Sequence, residues 1–205
     1  MDWSSLGLAA AASSTSGLSL YATVLTLGIL HRFHWMQLPA EWKALGETWV
    51  IGLAAVLFVI EFVADKIPYV DNLWDGMHTF IRIPAGAVFM ASAFAGVEPA
   101  TRLIAGLLGG SLALTTHSAK ASARLAANSS PEPFSNSVLS LLENFVTVFL
   151  LGLAASHPGW ALVILVVVLG ICAIVLYTCI RFARTFFRKL RGWLSANPDE
   201  SSVLP

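Results

Sequence analysis

Residues 61–82 place seven ionisable side chains, Glu61, Asp65, Lys66, Asp71, Asp75, His78 and Arg82, between two segments otherwise apolar enough to cross a membrane. An ionised group at membrane depth costs several kcal/mol unless it meets a partner, water or an ion, so such groups line an interior or a cavity. A chain that carries this stretch must therefore build a polar interior inside an apolar shell. Asp71, Asp75, His78 and Arg82 follow the i, i+4, i+7, i+11 spacing of one helix face, and Glu61 and Asp65 share a face of the preceding helix. Pro68 separates the two runs.

The rest of the chain supplies that shell. It is 57% hydrophobic and 12% charged over 205 residues, with a mean hydropathy of +0.75, whereas a soluble domain carries about 25% charged residues. The expectation is an all-α, polytopic membrane helix bundle. A span takes roughly 20 residues, which allows about six transmembrane helices and no second globular domain. Residues 1–180 form the expected bundle and 181–205 a basic amphipathic cytoplasmic tail with a disordered end. Twelve basic residues balance twelve acidic ones, giving no sign of nucleic-acid binding. Cys172 and Cys179 lie in one apolar helix as small buried hydrophobes, with no disulfide framework and no thiolate zinc site.

The N-terminal residues lack the basic region of a cleaved signal, so the first apolar segment is expected to remain as a helix. Its small polar run, Ser13, Ser14, Thr15, Ser16 and Gly17, reads either as a break with a half-helix beginning near Ser16 or as a continuous helix packed closely on a neighbour. Residues 31–48, with Trp35, Trp42, Pro39, His31 and His34, read as an interfacial connection whose aromatics sit at headgroup level, with Trp49 at its end. Further helices are expected over about 49–64, 72–94 with a bend at Pro84, 100–124, 138–155 and 160–178. The fourth carries Gly106, Gly109, Gly110 and Ser111 for close backbone approach. It ends in a second polar stripe, His117, Lys120 and Arg124, at i, i+3, i+7. Glu143 lies inside the next helix. Arg181, Arg184, Arg188, Lys189 and Arg191, interleaved with Phe182, Phe186 and Phe187, suit a helix extension on an anionic leaflet. Positive charge places this tail inside a bacterial inner membrane, and six crossings would put both termini in the cytoplasm.

Sliding the chain by 124 positions superposes Ser13, Ser16, Leu18, Thr23, Val24, Leu27 and Gly28 on identical residues at 137–152, and a slide of 65 relates 68–72 to 133–137. Three related hairpins with broken or re-entrant helices would place Ser19, His78 and Glu143 at one centre; chance likeness between apolar segments is the alternative. At Gly17-Leu18-Ser19-Leu20-Tyr21-Ala22, at residues 61–71, at Thr116-His117-Ser118-Ala119-Lys120-Ala121 and at residues 128–136, the chain resembles a family of small bacterial multi-spanning integral membrane proteins catalogued as a domain of unknown function. The resemblance covers roughly residues 13–155 and implies no established activity.

Three functions compete. As a transporter or channel-like protein, the chain would move a small ion or an anionic or lipid-phosphate substrate along Glu61, Asp65, Asp71, Asp75, His78, Arg82, His117, Lys120, Arg124 and Glu143. The helix starts near Asn72 and Asn136 would assist in holding an anionic group. As a membrane-embedded metal-dependent enzyme acting on lipid phosphates, it would hold a divalent metal at Asp75 and His78; no other cofactor is expected. As a structural or accessory subunit, the same charges would pair to pin the helices. The expected partners are membrane lipids and a second copy of the chain in a homo-oligomer.

Overall fold

A computed structural model describes residues 3–67, 69–128 and 133–195, and no strand occurs among them. The helices are α1 (Trp3–Leu18), α2 (Leu20–Arg32), a 3-10 turn (Ala40–Gly46), α3 (Thr48–Ala64), α4 (Val70–Ala93), α5 (Pro99–Ala127), α6 (Pro133–Ser156) and α7 (Pro158–Ser195). The all-α class read from composition is the class observed. Pro68, residues 129–132 of the expected proline-rich loop and the expected disordered end at 196–205 lie outside the described residues.

α1 is the axis of the molecule. Every residue from Gly7 to Leu18 is buried, because its alanine, serine and glycine side chains let α4, α5, α6 and α7 pack around it. A Cβ on Gly17 would run into the Ala113 carbonyl and the Thr116 hydroxyl, so only glycine allows α1 and α5 to meet there. Apart from Ser14 Oγ, which has no hydrogen-bond partner, the α1 hydroxyls that this packing buries at Ser13, Thr15 and Ser16 are satisfied locally or across the interface. Ser13 donates to the Gly86 carbonyl at 2.9 Å, and Thr116 donates to the Ser14 carbonyl at 2.7 Å.

The break comes at Ser19, three residues beyond the expected Ser16, where the backbone turns extended with φ −149° and ψ 100°. It reverses the chain. Ser4, Ser5 and Leu8 of α1 share one cleft with Trp35, Met36, Leu38 and Pro39, which follow α2. α1 and α2 are therefore a re-entrant hairpin, with both open ends at what is here the upper end of the bundle and its tip at Ser19. Trp42 of the 3-10 turn is buried rather than at headgroup level: its indole N–H donates to the Ser92 hydroxyl and its ring meets Phe89 edge-on. Trp35 and Trp49 are exposed, as expected.

Five helices, α3 to α7, remain to traverse the bundle. α7 begins where Pro158 packs on Gly7 at the upper end and passes the lower part of α5, where the Cys179 thiol meets the Ser122 carbonyl. Trp3 and Ser195 thus lie at opposite ends. The six crossings expected counted residues 6–30 as a single span, which the hairpin divides in two. By length and composition α6 over Phe134–Ser156 and α7 over Pro158–Lys189 can each cross a membrane, and the 3-10 turn with α3, bent by 68°, makes a third. That is fewer than the six expected. α1 and α2, at 16 and 13 residues, are shorter than the roughly 20 residues of a span, while α4 and α5 carry buried charges on one face.

The outer surface is apolar, with Leu53, Val88, Leu103, Leu107, Phe145 and Val166 all exposed. This is the inside-out arrangement of a membrane protein, polar within and apolar without. α7 continues as one helix of 38 residues into the basic tail; at about 57 Å it outruns the ~30 Å hydrocarbon core.

Candidate functional site

At the depth of the hairpin tip, α3, α4, α5 and α6 each deliver charged side chains to one buried centre. Lys120 of α5 stands in the middle. Its ammonium donates to the Leu18 carbonyl, the last of α1, at 2.8 Å. Around it lie Glu143 Oε2 at 3.3 Å, Asp65 Oδ2 and Asp75 Oδ1 at 3.5 Å and Glu61 Oε1 at 3.6 Å. The break explains the position: a helix end leaves carbonyls without intrahelical donors, and a cation beside them is favoured by the helix dipole.

Two guanidinium groups flank the ammonium. Arg82 binds Glu61 and Asp75 Oδ1, the latter at 3.0 Å. Arg124 bonds Asp65 Oδ2 at 2.9 Å and Glu143 Oε2 at 2.7 Å, and it also donates to the Asp65 carbonyl at 3.1 Å. On the α2 side of the break the Ser19 hydroxyl donates to Glu61 Oε2 at 3.1 Å. Both halves of the interrupted hairpin are thus tied to the charged centre. The arginine and lysine side chains are wholly inaccessible and Glu143, at 10%, is the most accessible of the carboxylates.

His117 completes the upper side. Its Nδ1 lies 3.3 Å from an Arg82 nitrogen, which can only donate. Its Nε2 lies 2.7 Å from the Thr79 hydroxyl, whose own proton goes to the Asp75 carbonyl. Nδ1 accepts and Nε2 donates, so this geometry holds a neutral imidazole. Four carboxylates, Glu61, Asp65, Asp75 and Glu143, then face three fixed cations, Arg82, Lys120 and Arg124. By formal charge the carboxylates outnumber the cations by one. Asp65 Oδ1 and Asp75 Oδ2 are buried without a hydrogen bond, Asp75 Oδ2 lying 3.6 Å from Arg124 Nε, and the Nε atoms of Arg82 and Arg124 are buried without one too, so the centre holds unmatched acceptors and donors alike.

Eight of the ten residues singled out in the sequence converge here. Asp71 does not: Asn128 and Asn136 each donate to it at 3.0 Å, tying the lower ends of α4, α5 and α6 together. Asn136 is thus committed to Asp71, and α6 begins at Pro133, ahead of it. His78 is also apart, with Nε2 at 3.0 Å from the Tyr21 hydroxyl, Nδ1 at 2.8 Å from the Trp74 carbonyl, and its ring stacked on Trp74. Asp75 and His78 face different partners, and among the described residues no three His, Cys, Asp or Glu side chains are placed to hold a metal ion. Lys66 lies outside the cluster, over the Phe62 ring; partial burial lowers its pKa against the opposing pull of Asp65. Asn128 and Thr79 were missed as partners, since the only sign of either is its distance from the charges in three dimensions.

A helical hairpin whose tip meets a buried cluster of ionisable side chains, inside an apolar helical shell, is the architecture of a membrane protein with a polar centre. The chain matches the family described as a domain of unknown function, DUF4126, over residues 6–178, and it belongs to that family. No curated protein and no solved structure matches it.

Proposed function

We propose that the protein is a transporter or channel-like protein of the bacterial inner membrane in which the centre around Lys120 binds and passes on a proton or a small cation. The observation that carries this is the meeting of the hairpin tip with the cluster: Lys120 on the Leu18 carbonyl and Ser19 on Glu61. Interrupted helices that end at membrane depth beside ionisable side chains are the usual construction of a coupling-ion site. The surplus carboxylate decides the sign of the cargo. Lys120 and Arg124 are already surrounded by acidic oxygens, so an anion or lipid phosphate would have to displace carboxylates held in place by the fold, whereas a proton or cation completes the balance.

The lower end, with Lys66, Arg181, Arg184, Arg188 and Lys189, faces the cytoplasm under the positive-inside rule, and the start of α1 faces the other side. A purely structural role is favoured by one observation, the near-complete burial of every charge in the cluster, because pinning helices requires nothing more. Flux separates the two. Protein reconstituted in liposomes carrying a pH-sensitive dye should move protons, or exchange them for sodium or potassium, when a gradient or potential is imposed. Wild-type protein that is folded and moves none of these leaves only the structural role.

A further inference from the structure

Two apolar cavities open on the membrane-facing side of α4. One, of about 570 Å³, lies between α2, the 3-10 turn, α3 and α4 and is walled by Tyr21, Val24, Leu57 and Phe89. The other, of about 690 Å³, runs over the α4–α5 seam between Pro99 and Leu114, where Gly106 and Gly110 leave space against Ala91 and Ala87. Fifteen residues of α5 correspond to about 22 Å, enough for a chain crossing one leaflet of ~15 Å, half the hydrocarbon core. The two cavities share a ridge, Val88, and a polar residue, Arg102.

Arg102 is exposed and stands in the first turn of α5, at the upper end of the bundle. Among the described residues its side chain has no hydrogen bond or ion pair, and neither has Glu41, which lines the first cavity. An unpaired guanidinium between two acyl-sized grooves, with an unpaired carboxylate on one side of it, has the charge pattern of a zwitterionic headgroup. We infer that this face binds a two-chain phospholipid of the ethanolamine type. Its phosphodiester sits on Arg102, its ammonium reaches Glu41, and one acyl chain fills each cavity astride Val88. A guanidinium suits the phosphate because it can offer two parallel donors to two oxygens. The site is separate from the charged centre, which neither cavity reaches.

The full chain, purified in mild detergent and stripped of lipid, would be titrated with phosphatidylethanolamine, phosphatidylglycerol and the single-chain lysophosphatidylethanolamine, with bound lipid counted by native mass spectrometry. One phosphatidylethanolamine should bind, in preference to both others. Arg102→Gln should weaken it roughly tenfold, the scale of one lost charge-assisted contact. Glu41→Gln should abolish the preference for ethanolamine over glycerol. Ser111→Phe, at an exposed position on the wall of the second cavity, should reduce the two-chain lipid to the affinity of the single-chain one. Equal binding of all three lipids, no lipid retained, or Arg102→Gln indistinguishable from wild type in a monodisperse preparation would each overturn the assignment.

Discussion

Lys120 shows most clearly how the fold turns a liability into a centre. A lone buried ammonium is unstable, and so are four buried carboxylates; each is tolerable because the others are within 3.6 Å. Lys120→Met should therefore lower stability by about 3–5 kcal/mol, the usual result of stranding buried opposite charge, read as a fall in the thermal midpoint in detergent. Lys120→Arg should not restore it, since a planar guanidinium cannot take the place of a compact ammonium beside four carboxylates and a carbonyl. Asp71 makes the opposite case. Its donors are the neutral amides of Asn128 and Asn136, so Asp71→Asn should cost about 1–3 kcal/mol of stability and leave any flux through the Lys120 centre unchanged. Loss of flux in well-folded Asp71→Asn protein would move the pathway to the lower end of the bundle.

At the scale of the elements, the hairpin depends on close packing at several glycines, Gly17, Gly28, Gly86 and Gly109 among them. A methyl group at Gly17 meets the Ala113 carbonyl, which is backbone and cannot rotate away, while Gly152 has nothing within 4 Å. Gly17→Ala should destabilise the protein markedly and Gly152→Ala should be neutral or slightly stabilising, the helix propensity of alanine being better by about 1 kcal/mol; chemical or thermal unfolding in detergent compares them. The helices were largely legible in the sequence because apolar runs, prolines and turn residues are local signals. Thr48–Ala64 and Pro158 onward begin within two residues of where the apolar pattern places them. The two polar stripes were equally legible, since i, i+4, i+7 spacing fixes a face. What could not be read was direction. A run of Ser13, Ser14, Thr15, Ser16 and Gly17 fits a straight helix and a hairpin equally well, and only the return of Trp35 and Met36 to Ser4 and Leu8 decides between them.

For the whole molecule, that one reversal puts the start of α1 and the end of α7 at opposite ends of the bundle. Cysteines introduced at Trp3, ahead of the hairpin, and at Arg184, in protein lacking Cys172 and Cys179, should react with impermeant reagents from opposite sides of the membrane. Labelling of both from one side would contradict the hairpin. Across this frame the charged centre lies toward the basic end, at the depth where α1 stops. Under the proposed function, its surplus carboxylate is what a coupling site would use, whereas a set of pins needs no imbalance.

The most direct test of that claim pairs flux with stability in Glu143→Gln. Glu143 is the most accessible of the four carboxylates, and the substitution keeps its shape while removing the surplus charge, leaving the three cations matched by three acids. Proteoliposome proton or cation flux should fall at least tenfold, with the thermal midpoint close to that of wild type. Unchanged flux in an active preparation, or a loss of stability with no wild-type flux to lose, would contradict it.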